Sequence, residues 1–193
     1  LEELTAANAP LTPQAAVAML RDQRGEGGAD IGVGNDCSVN QSIAHHSVVF
    51  RPSALKMWVS TSPWQGGAYI CYDLGAVMRD PDPAGELCDA AQEIAADTAY
   101  LAHDYPRVVV YRRLGGEIRK AMREETAADA ATLDRFERTN PQNFHTWKLL
   151  GEYYRSQGDD VRAAQCFDKA LQSGIPRTDE REAVERLKSE CKP

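Results

Sequence analysis

At 193 residues, with 42% apolar and 26% charged side chains, the chain has the composition of a globular protein forming one moderate domain or a small domain with an appendage. A formal charge of −7 excludes the clustered Lys and Arg footprint of nucleic-acid binding, and no apolar run reaches the roughly 18–20 residues of a membrane span. The five cysteines, Cys37, Cys71, Cys88, Cys166 and Cys191, are scattered without CxxC spacing, which excludes a disulfide framework and gives no reason to expect a metal or another cofactor.

The chain opens Leu1-Glu2-Glu3-Leu4, with no initiator methionine, charged n-region or apolar h-region. It reads as a fragment or a processed chain, so any signal peptide lies upstream and the compartment stays open, an exported bacterial protein included. Thr12-Pro13 followed by Ala16, Val17, Met19 and Leu20 predicts a capped helix from 13 to 23. Five glycines between Gly25 and Gly34, among Asp and Asn, predict a loop. Ile43 to Phe50 and the alternating Leu55-Lys56-Met57-Trp58-Val59-Ser60 predict a hairpin about the Arg51-Pro52-Ser53-Ala54 turn, and Gly67 to Tyr72 a third strand ending at Asp73-Leu74.

Asp80-Pro81-Asp82-Pro83 and Gly85 mark a break, after which Leu87, Ala91, Ile94 and Ala95 predict a helix from 86 to 101, broken by His103-Asp104-Tyr105-Pro106. A helix over 108–126 is expected despite the β-leaning Val108-Val109-Val110-Tyr111, and a further helix over 127–139 ends at Asn140-Pro141. The basic and acidic residues at Arg112-Arg113, Arg119-Lys120 and Arg123-Glu124-Glu125 read as a solvated face.

From residue 144 to 174 the chain places Trp147, Leu150, Gly151, Tyr154, Gly158, Ala163, Phe167 and Ala170 at the spacing of the tetratricopeptide (TPR) pattern, which it resembles. The small Gly151 and Ala163 let two antiparallel helices approach, and Trp147, Leu150, Tyr154 and Phe167 fill what remains. Pro176 stands one place later than the usual terminal proline, and one copy is present where stacked grooves need about three. The pair is therefore expected to brace or pack, against 127–138 and 179–190, more than to form a peptide groove.

In the first half, Gly32-Val33-Gly34-Asn35-Asp36-Cys37, then Ile43-Ala44-His45-His46-Ser47-Val48-Val49-Phe50, then Leu55-Lys56-Met57-Trp58-Val59-Ser60-Thr61-Ser62-Pro63 and Tyr72-Asp73-Leu74 come in the order of closing strands in a known group. The chain over residues 10–75 resembles the bacterial acyl-coenzyme A:6-aminopenicillanic acid acyltransferase-like proteins, which are N-terminal-nucleophile (Ntn) hydrolases. The resemblance implies an α+β fold: the C-terminal strands of an αββα sandwich over 1–80, a helical connector over 81–139, and the TPR-like pair with a capping helix over 140–193. It also implies self-processing, with a cysteine nucleophile on a companion N-terminal polypeptide of the same precursor. The substrate would be a small acyl amide or thioester, acted on by hydrolysis or transfer. Self-association into a homo-oligomer is compatible with this reading.

Candidate pocket residues are Asn35 in the glycine-rich loop, His46 and Ser47 at a strand entry, and Trp64 between strands. Neighbours on a strand point to opposite faces, so only one of His45 and His46 is expected to face a pocket. Asn35, Asp36 and Asn40 are read as caps of the following strand in preference to substrate-positioning groups, and Cys37 as a loop thiol in preference to a nucleophile released after Asp36. The rival reading, from another functional class, is a noncatalytic TPR-type adaptor whose helical half binds a protein partner.

Overall fold

The computed structural model describes residues 2–7, 10–80 and 87–192. The fold is mixed α+β, mainly helical with one three-stranded antiparallel sheet, and it divides into two compact units, residues 1–22 with 42–103, and 23–41 with 104–193. Among the described residues no helix is long and apolar enough to cross a membrane.

The first unit begins with a short helix α1 (Glu2–Ala7) and α2 (Pro13–Leu20). Thr12 caps α2, its hydroxyl accepting from the Ala15 N–H at 3.1 Å, with Pro13 supplying a first helical residue that needs no donor. The sheet is a meander of β1 (Val48–Arg51), β2 (Lys56–Ser60) and β3 (Tyr69–Asp73), in that spatial order. The predicted first strand thus starts five residues late. Val48 pairs with Val59, and beyond Ser60 the chain leaves at the Ser62-Pro63 turn, so residues 43–46 have no strand opposite them. Asp73 then caps a short helix α3 (Leu74–Arg79), which the sequence reading did not anticipate, accepting from the Ala76 N–H at 2.9 Å.

The pairing register sorts the sheet into two unlike faces. Val49, Trp58 and Cys71 lie in one row, with Tyr69 beside them, and pack with Val17 and Leu20 of α2 and with Ile94 as the core of this unit. On the opposite face the rows are Val48, Val59, Ile70 and Phe50, Met57, Tyr72; every one is apolar or aromatic, and none is buried. A free-standing antiparallel sheet ordinarily carries polar residues on its second face.

The helix predicted over 86–101 is not formed by residues 87–97, whereas 98–101 are helical; its first residue, Glu86, and Pro81, Asp82, Pro83 and Gly85 of the predicted break lie outside the described part. The segment instead runs along β3, with bridges Tyr72 to Cys88 and Tyr69 to Ile94 and a single 3₁₀ turn at Ala90–Gln92. Its apolar spacing suits a helix, but the outer backbone groups of β3 need partners, and Asp73, Asp89, Tyr69 and Ile94 N–H donate across this line at 2.8–3.1 Å. Trp58 adds an indole bond to the Gln92 carbonyl at 2.7 Å. The Arg21 guanidinium donates to the carbonyls of Gln65, Gly67 and Ala95 at 2.8–2.9 Å and lies over the Tyr69 ring, tying the β2–β3 turn to α2.

The second unit holds α4 (Tyr105–Arg123), α5 (Ala130–Thr139), α6 (Phe144–Ser156), α7 (Asp160–Gln172) and α8 (Thr178–Ser189). No break forms at 103–106: residues 98–104, of which Tyr100–Asp104 are a π-helical turn, lead directly into α4, and Pro106 sits just past the junction of the two helical forms. Val108 to Tyr111 are helical, Val108 and Leu114 facing the core. Asp129, Asn143 and Asp159 cap α5, α6 and α7 with side-chain oxygens, and Gly158, at φ +77°, makes the turn before α7.

Helices α6 and α7 pack closely at Gly151, where an added Cβ would stand 2.5 Å from the Phe167 ring. Leu150, Ala163, Phe167 and Ala170 are fully buried between α6, α7 and the flanking helices. Trp147 is buried with its N–H on the Pro141 carbonyl at 2.7 Å, and Lys169 covers its ring. Tyr154 is half-exposed under the Arg162 guanidinium, so it covers the pair's flank and does not fill its centre. Val184 of α8 and Phe136 of α5 close the same core from either side.

Candidate functional site

Of the four candidate pocket residues, His46, Ser47 and Trp64 belong to the first unit and Asn35 to the second. In the first unit His46 is exposed just before β1, and so is His45, because this stretch has no ladder to send the two rings to opposite faces. His45 meets the half-buried Trp64 edge-on, ring centroids 6.5 Å apart. Ser47 continues the β1 ladder, its N–H donating to Ser60 Oγ at 2.8 Å, and its hydroxyl bonds the buried Tyr69 hydroxyl. Burial pushes the Tyr69 phenol up, against the lowering effects of Ser47 and Arg21. Ser47 is thus held in place by a protonated phenol. Beside β1 a hollow of about 350 Å³ is lined by Leu11, Pro13, Val49, Phe50 and Arg51, among others.

Asn35 belongs to the second unit and is buried, where its amide donates to the Ile31 carbonyl at 2.8 Å and its oxygen accepts from the Cys37 N–H at 2.9 Å. It organises the loop and offers nothing to a ligand. Ser38 Oγ bridges the Asn35 and Asn40 carbonyls at 2.7 and 2.9 Å. The loop is fastened by Asn140, which accepts from the Val33 N–H at 3.1 Å and donates to its carbonyl at 3.0 Å, as a neighbouring strand would. Gly32 passes so near Asn140 that any Cβ would collide, and it has φ +80°.

This fastening brings Asp36 to α6, where His145 Nε2 lies 3.1 Å from Asp36 Oδ2. Glu180, in the first turn of α8, completes a group whose donor atoms all stand within 4.8 Å of one another. Its Oε2 is buried with no hydrogen-bond partner among the described residues. Cys37 adjoins them, with Sγ 3.9 Å from the Gly174 carbonyl. Loss of hydration, then the charges of Asp36 and Glu180, push its thiol up, opposite to the activation a nucleophilic cysteine needs.

Expecting no metal from cysteine spacing says nothing about such a group, since imidazole and carboxylate donors from three distant segments leave no local pattern. In the sequence Asp36 reads as a cap, and nothing marks His145 or Glu180. The remaining thiols fit the expectation of small apolar residues best at Cys71 and Cys166, both buried; desolvation raises the first and pushes the second up to about 11. No family model, curated protein or solved structure matches the chain.

Proposed function

We propose that the chain is the C-terminal part of a self-processing cysteine Ntn hydrolase or acyltransferase that acts on amide or thioester acyl groups. The nucleophile is supplied by a companion segment outside this chain. The observation that carries the reading is the two-faced apolar sheet. One face is covered by α2, whereas Val48, Phe50, Met57, Val59, Ile70 and Tyr72 form a second apolar face left partly open. A helix layer on one side and an apolar sheet face on the other is what half of an αββα sandwich requires, with the second sheet seated on the open face. The resemblance over residues 10–75 supports the same assignment, since its strand blocks fall on β1, β2 and β3 in order.

In this reading the α-amino group of a leading cysteine takes the proton of its own thiol, and the thiolate attacks the acyl carbonyl. Positioned N–H donors stabilise the oxyanion; its collapse breaks the C–N or C–S bond of the substrate, the α-ammonium returning its proton to the departing amine or thiol. The acyl group then passes from the cysteine sulfur to water or to an acceptor amine, which frees the thiol again. The present chain supplies the closing strands, and the His45–Trp64 pair with Ser47 lies at their ends as a wall for substrate. A single TPR-like hairpin at α6 and α7 braces the protein. Intact-mass measurement on material purified after expression of the full precursor tests the proposal. A co-purifying polypeptide that begins with cysteine is expected; a lone, monodisperse 193-residue species overturns it.

The adaptor reading draws support from the second unit, whose five helices close a core from their own residues. It predicts that the lone species folds and captures a protein partner through α6 to α8.

A further inference from the structure

We propose that Asp36, His145 and Glu180 form a binding site for a divalent cation of the zinc type. This inference is independent of the acyl-transfer reading. Two carboxylates converge on one imidazole, and only one of the carboxylates is accounted for: Asp36 bonds His145 at 3.1 Å, while Glu180 Oε2 is buried with no donor among the described residues. The basic side chains near Glu180 are committed elsewhere, Arg177 to Asp179 at 2.6–3.0 Å and Arg181 to the Leu171 carbonyl at 3.4 Å. A carboxylate oxygen buried without a donor beside a second carboxylate is costly unless a cation joins them.

One imidazole nitrogen and two carboxylate oxygens suit Zn²⁺, Mn²⁺ or Co²⁺ better than the all-oxygen ions Ca²⁺ and Mg²⁺ or a thiolate-seeking Cu⁺. Donors bound to zinc at about 2.1 Å stand roughly 3.4 Å apart in a tetrahedron. The His145–Asp36 spacing is already close to that, and Glu180 has to draw in from within 4.8 Å. His145 and Asp36 are each about one-third exposed, so solvent can complete the coordination. The ion would join the glycine-rich loop, the start of α6 and the start of α8, three segments with no chain continuity between them, and so stabilise the second unit by linkage.

The test is titration of the full 193-residue chain with ZnCl₂ by calorimetry in chelator-free buffer, with Co²⁺ absorption as a second readout, against Glu180→Gln, His145→Gln and Cys37→Ser. One saturable site is expected, with affinity falling roughly 10- to 100-fold in the first two variants, and a Zn²⁺-dependent rise in Tm that these variants lose. Glu180→Gln removes a charge whose Oε2 has no donor among the described residues and keeps the side-chain shape, so its metal-free Tm should equal or exceed that of the parent, which separates ligation from a structural role. Absence of saturable binding overturns the proposal. So does an affinity that Glu180→Gln leaves intact and Cys37→Ser abolishes.

Discussion

The two units satisfy the same requirements by different means. In the second, each helix pairs its own backbone, and five amphipathic helices turn their apolar stripes onto one another, burying Leu114, Ile118, Phe136, Leu150, Phe167 and Val184 almost completely. In the first, the sheet must find partners for its edges and cover for both faces. Among its described residues it has a fully buried apolar core of Val17, Trp58, Tyr69 and Cys71, a segment laid along β3, and an apolar face with Phe50 60% exposed. A helix can be finished locally, whereas a sheet with two apolar faces is finished by another layer. The helical unit should therefore be the stable one in the isolated chain, and the sheet unit the one that gains from a companion.

The largest expected effect sharpens that comparison. Phe167 fills the space Gly151 leaves open, and glycine has no side chain that could relax into the hole left by truncation. Phe167→Ala should cost about 3–5 kcal/mol, read by urea unfolding. Native-state hydrogen exchange should accelerate through α6 and α7 and leave β1 to β3 as before. A cost below about 1 kcal/mol, or an equal loss of protection in the strands, would break the division into two separately stabilised units.

A smaller effect is expected where the glycine-rich loop is fastened. Asn140→Ala removes the acceptor of the Val33 N–H and the 3.0 Å donor to its carbonyl, leaving only Asn143 at 3.4 Å. Unpaired buried backbone groups cost roughly 1–3 kcal/mol, and the exchange protection lost should centre on residues 30–41. Unchanged protection there would mean that the loop is held by something other than Asn140.

How far all this was legible depends on whether the signal is local. Thr12-Pro13 marks the start of α2, and the fixed spacing from Trp147 to Ala170 marks α6 and α7, because caps and helix-on-helix contacts are written within a few residues. The alternation in β2 is equally plain. Residues 87–94 were misread as a helix because Leu87, Ala91 and Ile94 fit that period, and the deciding fact, an open edge on β3, lies in another strand. Pro106 reads as a stop, yet the chain is helical on both sides of it, as a π turn before and an α-helix after, a change of helical form that no local residue pattern marks. Asn140, His145 and Glu180 gave no warning. Their roles come from segments that meet only after folding, whereas Asn35 looked functional and is spent on its own loop.

The smallest effect concerns pH and again separates the units. Burial keeps the Tyr111 phenol protonated, pushing it up to about 12 despite the Thr146 hydroxyl at 2.9 Å and the charge of Arg119, which both act to lower it. Its ring stacks on Phe136 within the helical core. The folded state therefore holds this proton more tightly than the unfolded chain, whose phenols titrate near 10. The contribution is complete below pH 10 and is lost as the pH climbs from 10 through about 12, a loss on the order of 2 kcal/mol. Tyr111→Phe has nothing to titrate there. It should cost about 0.5–1.5 kcal/mol at pH 7 for the missing bond to Thr146, then show a shallower decline of stability than the parent in urea melts between pH 10 and 12. Cys166, raised to about 11, titrates in both proteins and cancels in the difference. Parallel declines would mean that the Tyr111 hydroxyl reaches solvent, and that the helical core is less closed on this side than its packing indicates.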